Sequence, residues 1–511
     1  MIRVMKAVPL VVLCALIIAV PSAWANWVKD GTPLCTATGN QWLPMVTSDG
    51  FGGAIVTWYD GRSGSYDIYA QRVNASGAVQ WTTDGLALCA ATGDQVYPQI
   101  IPDGAGGAIV TWQDTSGANW DIHAQRVDAS GAVRWVADGV ALCTATGDRR
   151  APEIISDGAG GAIVTWYDGR SGSYDIYAQR VDALGAVQWT TDGVALCTAP
   201  GDQSHPTLTS DSAGGAIVTW QDNRSSSYTD IYAQRVNASG SVQWTPNGVG
   251  LCTAAGNQLD LTLVSDGASG AIVTWNDNRN GDLFEPLTDI YAQRVSSLGA
   301  VLWATNGVAV CTVTGNQCYP MIISDDMGGA IVTWYDYRGA NIDIYAQRVD
   351  AAGAAQWTAN GVALCTAAAP QMQPQITSDG AGGAIVAWYD YRGGDHPDIY
   401  SVRVDANGFP VLTAADAPGV PIELHQNYPN PFNPTTTVTY SVPEKCAVKL
   451  EIYDVSGKCV ACLVDGQQEK GSHSVEWSGK DEKGSSVASG IYVYRLAAGG
   501  RTISKKMVLL R

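Results

Sequence analysis

Acidic side chains that break the regularity of the chain are the first candidates for chemistry. Between residues 26 and 419 only two glutamates occur, Glu153 and Glu285, and Asp282 lies close to the second. Glycosidic bonds are hydrolysed by paired carboxylates, one donating a proton while the other acts as base or nucleophile. These three residues are therefore the catalytic candidates for an enzyme acting on glycans. The sequence does not place them relative to one another, so catalysis is the less favoured reading.

A second candidate site is the segment Asp277-Asn-Arg-Asn-Gly-Asp282, which clusters the oxygen ligands that Ca²⁺ prefers. Asp277, Asn280 and Asp282 would be its ligands. Arg279 lies inside the segment, and its positive charge argues against a bound cation. The five histidines show no metal-ligand spacing. We therefore expect no cofactor, with calcium as the alternative.

The elements that carry these residues repeat. Ala-Ile-Val-Thr-Trp, or a near copy, recurs at intervals of 54, 54, 54, 55, 59 and 54 residues. Each unit contains four short apolar or alternating runs separated by Gly-rich turns, which is typical of four β-strands. A lone four-stranded sheet leaves both faces in water, so such units stack on one another. The pattern predicts an all-β seven-bladed β-propeller of four-stranded blades over residues 26–414.

Closure of the ring follows from counting. The tail after the seventh unit lacks the usual tryptophan, while Asn26–Cys35 carries one before the first blade. We therefore predict that this N-terminal strand closes the last blade. An open array is the alternative, and it would leave sheet edges exposed.

Polar residues and cysteines recur with the same period. A feature needed seven times is better suited to stabilising a blade than to forming one active site, so we expect the aspartates to accept backbone N–H bonds in turns, with arginine nearby. The cysteines we interpret as small buried apolar residues, and Cys311–Cys318 and Cys446 with Cys459 or Cys462 as potential local disulfides. The repeated aspartates are Asp60, Asp114, Asp168, Asp222, Asp277, Asp336 and Asp390.

The repeat resembles TolB-type propeller repeats. The clearest copy runs from Pro374 to Asp379, continues with Asp390 and Arg392, and ends at Asp398-Ile-Tyr400. The resemblance implies a scaffold for interaction and no catalytic residue.

The two ends of the chain have separate roles. Residues 1–25 have the basic start, apolar stretch and small-x-small site of a signal peptide, with cleavage between Ala25 and Asn26. No other segment is long enough to span a membrane. Residues 415–421 are a Pro-containing linker, and lysine becomes frequent beyond it. Short β-rich runs over residues 422–511 predict an immunoglobulin-like β-sandwich.

This C-terminal module resembles the type A sorting domain of type IX secretion and the flagellar hook-capping immunoglobulin-like domain. The resemblance rests on Gln426–Pro434, Ile452–Gly457, Trp477–Asp481, Ser489–Tyr492 and Lys506–Leu510. It implies recognition by an outer-membrane translocon and delivery across the periplasm to the cell surface or beyond. The motif residues are Tyr428, Pro429, Asn430, Pro431, Phe432, Gly457, Gly490, Tyr492 and Lys506.

Composition limits the choice of function. A net charge of −18 with no basic cluster argues against nucleic-acid binding. We expect a non-catalytic scaffold that binds a polysaccharide or a surface protein, and exposed aromatics such as Trp42, Trp120 and Tyr319 would suit sugar stacking. The alternatives are an extracellular glycan hydrolase or lyase and a structural envelope protein.

Overall fold

The computed structural model describes residues 32–225, 227–281, 287–394, 396–411, 423–442, 445–455, 457–498 and 501–510. The chain divides into two compact units, with the boundary between residues 410 and 411. The described residues form strands and turns without any helix. None of these segments is therefore a helix that could cross a membrane.

The first unit is built of seven antiparallel sheets, numbered 1 to 7, each of four strands in sequence order. Sheet 1 contains β1 Gln41–Ser48, β2 Ala54–Asp60, β3 Asp67–Val73 and β4 Leu86–Cys89, and sheet 2 contains β5 Gln95–Pro102, β6 Ala108–Asp114, β7 Asp121–Val127 and β8 Val140–Cys143. Sheet 3 contains β9 Arg149–Ser156, β10 Ala162–Asp168, β11 Asp175–Val181 and β12 Val194–Cys197, and sheet 4 contains β13 Gln203–Ser210, β14 Ala216–Asp222, β15 Asp230–Val236 and β16 Val249–Cys252. Sheet 5 contains β17 Gln258–Ser265, β18 Ala271–Asp277, β19 Asp289–Val295 and β20 Val308–Cys311. Sheet 6 contains β21 Gln317–Ser324, β22 Ala330–Asp336, β23 Asp343–Val349 and β24 Val362–Cys365, and sheet 7 contains β25 Gln371–Ser378, β26 Ala384–Asp390, β27 Asp398–Val404 and β28 Pro410–Val411. The predicted all-β fold of seven four-stranded blades is confirmed.

The second strands of sheets 2 to 6 are buried on both faces, and this explains their nearly continuous apolar sequence. The isoleucine face of one sheet packs against the valine and tryptophan face of the next, as Ile55 of sheet 1 does with Val110 and Trp112 of sheet 2. Six clusters of this kind fill the six junctions between consecutive sheets. The core of the first unit is therefore a series of junctions between sheets, as in repeat proteins.

The two ends of the array differ from its interior. In the described residues, no hydrophobic cluster joins sheet 1 to sheet 7. Val46 of sheet 1 is 67% exposed, whereas its equivalent in sheet 2, Ile100, is 9% exposed. Ile385 and Ile399 of sheet 7 are also exposed, although their equivalents in the other sheets are fully buried. The faces that a closed ring would bring together are both uncovered.

The fourth strand of sheet 7 differs from the prediction. We expected Asn26–Cys35 in this place, but the strand there is Pro410–Val411. The reason is local, because the tight turn closed by the N–H of Gly408 on the carbonyl of Asp405 returns the chain directly beside β27. Residues 26–31 lie outside the described residues, and residues 32–35 form no strand.

The second unit is a two-sheet β-sandwich, as predicted. One sheet contains β29 Glu423–Leu424, β30 Thr436–Val442 and β33 Gly471–Trp477 in the order β29-β30-β33. The other has the order β32-β31-β34-β35 and contains β31 Cys446–Asp454, β32 Cys459–Gln468, β34 Gly490–Ala498 and β35 Arg501–Leu509. Inward-facing residues such as Val438, Leu450 and Leu496 form its core. The predicted linker lies almost entirely outside the described residues.

Candidate functional site

The repeated aspartates are held in a structural cluster. Asp222 is fully buried and accepts the indole N–H of Trp220 at 2.7 Å and the guanidinium of Arg224 at 2.6 Å. The backbone N–H of Arg224 also donates to Asp222, at 2.9 Å. The same guanidinium lies 3.7 Å from the ring centroid of Tyr232, in cation–π geometry. The carboxylate therefore closes the turn after the second strand and anchors a tryptophan of the core.

The other repeated arginines pair elsewhere. Arg126 donates to Asp103 at 2.9 Å, and its guanidinium also donates to the carbonyl of Ala183 in the next sheet at 3.1 Å. This pattern fastens each of sheets 1 to 6 to its successor, whereas Arg403 of sheet 7 pairs with Asp379 alone among the described residues. The arginines of this second set are Arg72, Arg126, Arg180, Arg235, Arg294, Arg348 and Arg403. Both sets of repeated charges are thus occupied by contacts within the protein.

The recurring cysteines are buried or nearly so. Burial raises the pKa of the Cys143 thiol to about 12, so it stays protonated and unreactive at neutral pH. The eleven cysteines in the described part of the chain are free thiols. Neither of the two local disulfides considered from the sequence is formed there.

The calcium candidates have other partners. Asp277 accepts hydrogen bonds from Trp275 and Arg279, as its equivalents do in other sheets. The amide of Asn280 donates to Asp289 at 2.7 Å. Asp282 and the catalytic candidate Glu285 lie outside the described residues. The described part of the chain contains no group of three or more His, Cys, Asp or Glu side chains that could hold a metal ion.

Differences among the seven units are concentrated on the first strand. The third strand reads Asp-Ile-Tyr-Ala-Gln-Arg-Val in five of the seven units, and the second strand varies mainly at the residue before its aspartate. The first strand, by contrast, changes at most of its positions. Repeats share the residues that build the fold. Positions that vary among the repeats of one array are therefore not needed for the fold and can serve another role, such as binding.

A bulge gives this variable strand its form. In every first strand two residues oppose one residue of the second strand, and the first of the two has a positive φ. Bulges of this kind re-aim side chains and are common beside binding sites. The residues at the bulge position are Leu43, Tyr97, Ala151, His205, Asp260, Tyr319 and Gln373. Because consecutive first strands are neighbours, these side chains form a row that we call the bulge ladder.

Contacts along the bulge ladder involve the variable residue of the second strand. The rings of Tyr59 and Tyr97 lie 6.3 Å apart, and those of Tyr167 and His205 lie 6.1 Å apart. In sheet 5 the amide of Asn276 donates to the carboxylate of Asp260 at 2.7 Å. Aromatic, acidic and amide groups therefore follow one another across adjacent sheets.

A cleft of ≈ 280 Å³ opens on the ladder between sheets 2 and 3. At the bulge position of sheet 3 the cleft is lined by a small side chain, Ala151, whereas the neighbouring sheets have Tyr97 and His205 at this position. The lining residues are Tyr97, Gln99, Gln113, Arg150, Ala151, Pro152, Glu153 and Tyr167. The combination of two phenol rings, two amides, a carboxyl and a guanidinium suits a polar ligand with an apolar face.

Glu153 is the exceptional group in this cleft. Burial alone raises the pKa of its carboxyl to about 7, and no charged or hydrogen-bonding group of the described residues offsets that effect. The guanidinium of Arg150 is instead directed to Asp148, at 3.2 Å, and lies 5.8 Å from the ring centroid of Trp120. Within the described part of the chain, Glu153 is therefore a carboxyl without a partner, at the wall of an open cleft.

Sequence reasoning identified Glu153 and missed most of its surroundings. Of the aromatics singled out, Trp42 and Tyr319 belong to first strands and are 50% and 53% exposed. Tyr97, Gln99 and Asp260 were not singled out. The signal that could have found them is the contrast between a variable first strand and invariant later strands.

The sorting-motif residues of the second unit fall into two groups. Phe432 is buried, with its ring centroid 5.6 Å from that of Trp477, and the ring centroid of Tyr492 lies 5.3 Å from the same indole. Tyr428 is 82% exposed, and Pro429, Asn430 and Pro431 are exposed beside it. The motif therefore combines an internal anchor with an exposed crest, which we define as residues 428–431.

The crest is tied to the last strand. The backbone N–H of Phe432 donates to the carbonyl of Val508 at 3.0 Å, and the Asn430 side chain accepts from the N–H of Val508 at 2.9 Å. Lys506, beside this edge, is exposed. Gly457 has a φ of 85° in the turn after β31, a conformation that favours glycine, and Gly490 begins β34.

Part of the second unit is similar to a known family. The sequence model of the FlgD Ig-like domain matches residues 432–501. No curated protein matches the chain.

Among solved structures, an endo-arabinase from Bacteroides thetaiotaomicron is 14% identical, with a TM-score of 0.29, and the match covers 51% of this chain and 96% of that one. An α-L-arabinofuranosidase from Fusarium graminearum is 10% identical, with a TM-score of 0.31 and coverage of 65% and 93%. An acylaminoacyl peptidase from Pyrococcus horikoshii is 11% identical, with a TM-score of 0.40 and coverage of 80% and 59%. Similarity at this level carries no information about the activity of this chain.

Proposed function

We propose that the protein is an exported, non-catalytic interaction scaffold that binds its partner along the bulge ladder. The observation that carries this proposal is the confinement of sequence variation to the first strands, while the later strands repeat almost without change. Rigid sheets that present a row of differing side chains suit recognition of an extended partner.

The cleft chemistry favours binding over hydrolysis. Glycosidases need two carboxyl groups that flank one bond. Among the described residues that line the cleft, Glu153 is the only carboxyl group. A single partnerless acid can orient a ligand, but it does not supply both the acid and the base.

The binding proposal is tested with the whole mature chain and immobilised partners. Polysaccharides and cell-surface protein extracts are offered to the wild type and to a ladder variant that carries Tyr97→Ala and Tyr319→Ala. The matched control carries Tyr228→Ala, an exposed tyrosine that lies outside the first strands. Loss of capture in the ladder variant, with capture retained by the Tyr228→Ala control, supports the proposal. Release of new reducing ends from a polysaccharide would instead support the enzyme alternative.

We further propose that the second unit is a type IX sorting domain, recognised by an outer-membrane translocon after Sec-dependent export. The match to an Ig-like family and the exposed crest at residues 428–431 support this proposal. A chain shortened to residues 1–418 should remain in the periplasm of its host, as fractionation and surface proteolysis would reveal. Normal surface delivery of that shortened chain would contradict the sorting role.

We also propose that the two uncovered faces of the array pair with each other and close a seven-bladed ring. The supporting argument is complementarity, because every internal junction is made from the same two faces. Exposed apolar patches of this kind are unfavourable in water. Pairing within one chain costs no translational entropy, so it is favoured over pairing between chains.

A further inference from the structure

We propose that the cleft between sheets 2 and 3 is a subsite for the ammonium group of a lysine side chain on a protein partner. The inference rests on the proposed binding role of the bulge ladder and names the chemistry that the ladder recognises. The central group is Glu153, whose carboxylate would pair with the ammonium ion.

Glu153 has no partner among the described residues. Buried carboxylates elsewhere in the first unit accept from donors within the fold, as Asp168 does from Arg170 and Trp166 and Asp175 does from Ser171. Nothing among the described residues does the same for Glu153. A charged carboxylate taken out of water without a partner is costly, so a cation arriving from outside would gain the interaction that the fold leaves unmade.

Aromatic rings line the cleft beside Glu153. The phenol rings of Tyr97 and Tyr167 flank the cleft, and Tyr97 is 53% exposed. Aromatic faces attract cations through their quadrupole, and the methylene stem of a lysine packs on the same faces. Gln99 and Gln113 provide amide oxygens for the remaining ammonium protons.

The composition of the chain favours an ammonium group that comes from a partner. Between residues 26 and 419 the chain has a single lysine, Lys29, so the array has almost no ammonium group of its own to occupy the cleft. The net charge of −18 favours approach of a basic partner. Among the described residues of the lining Arg150 is the one cation, and its guanidinium is engaged with Asp148.

The subsite is tested by titrating the mature chain with Nα-acetyl-lysine methylamide and recording binding by calorimetry. The control ligand is the same compound acetylated on its side-chain nitrogen, which removes the charge. Glu153→Gln should lower the affinity for the charged ligand at least tenfold. Asp326→Asn, an exposed residue in sheet 6, is the matched loss of one charge and should have no effect.

The pH profile provides a readout that a general surface charge would not. Because the Glu153 carboxyl ionises near pH 7, affinity should rise about tenfold from pH 6 to pH 8. The other titratable or charged groups around the cleft are Tyr97, Arg150, Asp148 and Tyr167, with His205 against the ring of Tyr167. In Glu153→Gln the rise between pH 6 and pH 8 should disappear, because the titrating carboxyl is gone.

The outcomes separate this inference from the binding role on which it rests. Equal binding of the acetylated ligand, or unchanged binding by Glu153→Gln, overturns the lysine subsite. Capture of a neutral polysaccharide through Tyr97 and Tyr319, without lysine binding, also overturns it but leaves the scaffold function intact. If the ladder variants keep both lysine binding and macromolecule binding, the lysine subsite and the binding role of the bulge ladder are both rejected.

Discussion

Ile399 in β27 is 68% exposed, whereas Ile344, its equivalent one unit earlier in β23, is fully buried. The two residues occupy the same position in the same sequence motif. Their difference arises because sheet 7 covers Ile344 and no described residue covers Ile399 in the same way. This contrast gives a direct measure of whether the array closes.

If the end faces pair in solution, Ile399→Asp should destabilise the protein by more than about 3 kcal/mol, as a charge placed in a buried apolar junction does. Ile344→Asp is the matched control and should cost at least as much. Urea unfolding followed by tryptophan fluorescence measures both. A change below about 0.5 kcal/mol for Ile399→Asp would mean that its face stays in water, and light scattering would separate closure of one chain from association of two.

The buried aspartate clusters predict a second stability difference. Asp222→Ala should cost about 3–5 kcal/mol, because it leaves Arg224 and the indole N–H of Trp220 without their acceptor in a buried site. Arg134→Ala removes an exposed ion pair with Asp128 at 3.6 Å and should cost less than about 1 kcal/mol. Thermal or urea unfolding compares the two. Similar losses would show that the cluster at Asp222 is not a structural anchor.

The sequence predicted the sheets, their number and the sandwich because repetition and apolar patterning are local signals. It also predicted that the repeated aspartates serve each blade, and the contacts of Asp222 have that form. The bulge ladder was not predicted, because its members are unlike one another and are brought together only when first strands become neighbours. The open cleft depends on one small residue, Ala151, whose significance is visible only against the larger side chains at equivalent positions.

The partnerless carboxyl predicts an unusual pH dependence. The pKa of the Glu153 carboxyl is about 7 in the folded protein, whereas its ordinary value, which applies to the unfolded chain, is 4.5. The folded state therefore binds more protons between these values, and stability decreases as the pH rises through that window. Glu153→Gln removes the titration and should stabilise the protein by about 1–3 kcal/mol at pH 8, with little effect at pH 4.

Unfolding of wild type and Glu153→Gln at several pH values tests this prediction. Glu469→Gln, which removes an exposed carboxylate of the second unit, is the control and should show no such gain. Destabilisation by Glu153→Gln at pH 8 would indicate that the carboxylate has a stabilising partner. It would then no longer be free to receive a ligand.

Substitutions in the two parts of the C-terminal motif should have different effects, one on folding of the second unit and the other on its recognition. Phe432→Ala removes a buried ring from the contact with Trp477 and should destabilise the second unit by about 3–5 kcal/mol. Tyr428→Ala alters only an exposed side chain and should change stability by less than about 0.5 kcal/mol. If the crest is what the translocon recognises, Tyr428→Ala leaves a folded protein in the periplasm. Surface proteolysis of intact cells, with circular dichroism of the purified variants, measures both effects, and normal surface delivery of folded Tyr428→Ala would exclude this tyrosine as a recognition residue.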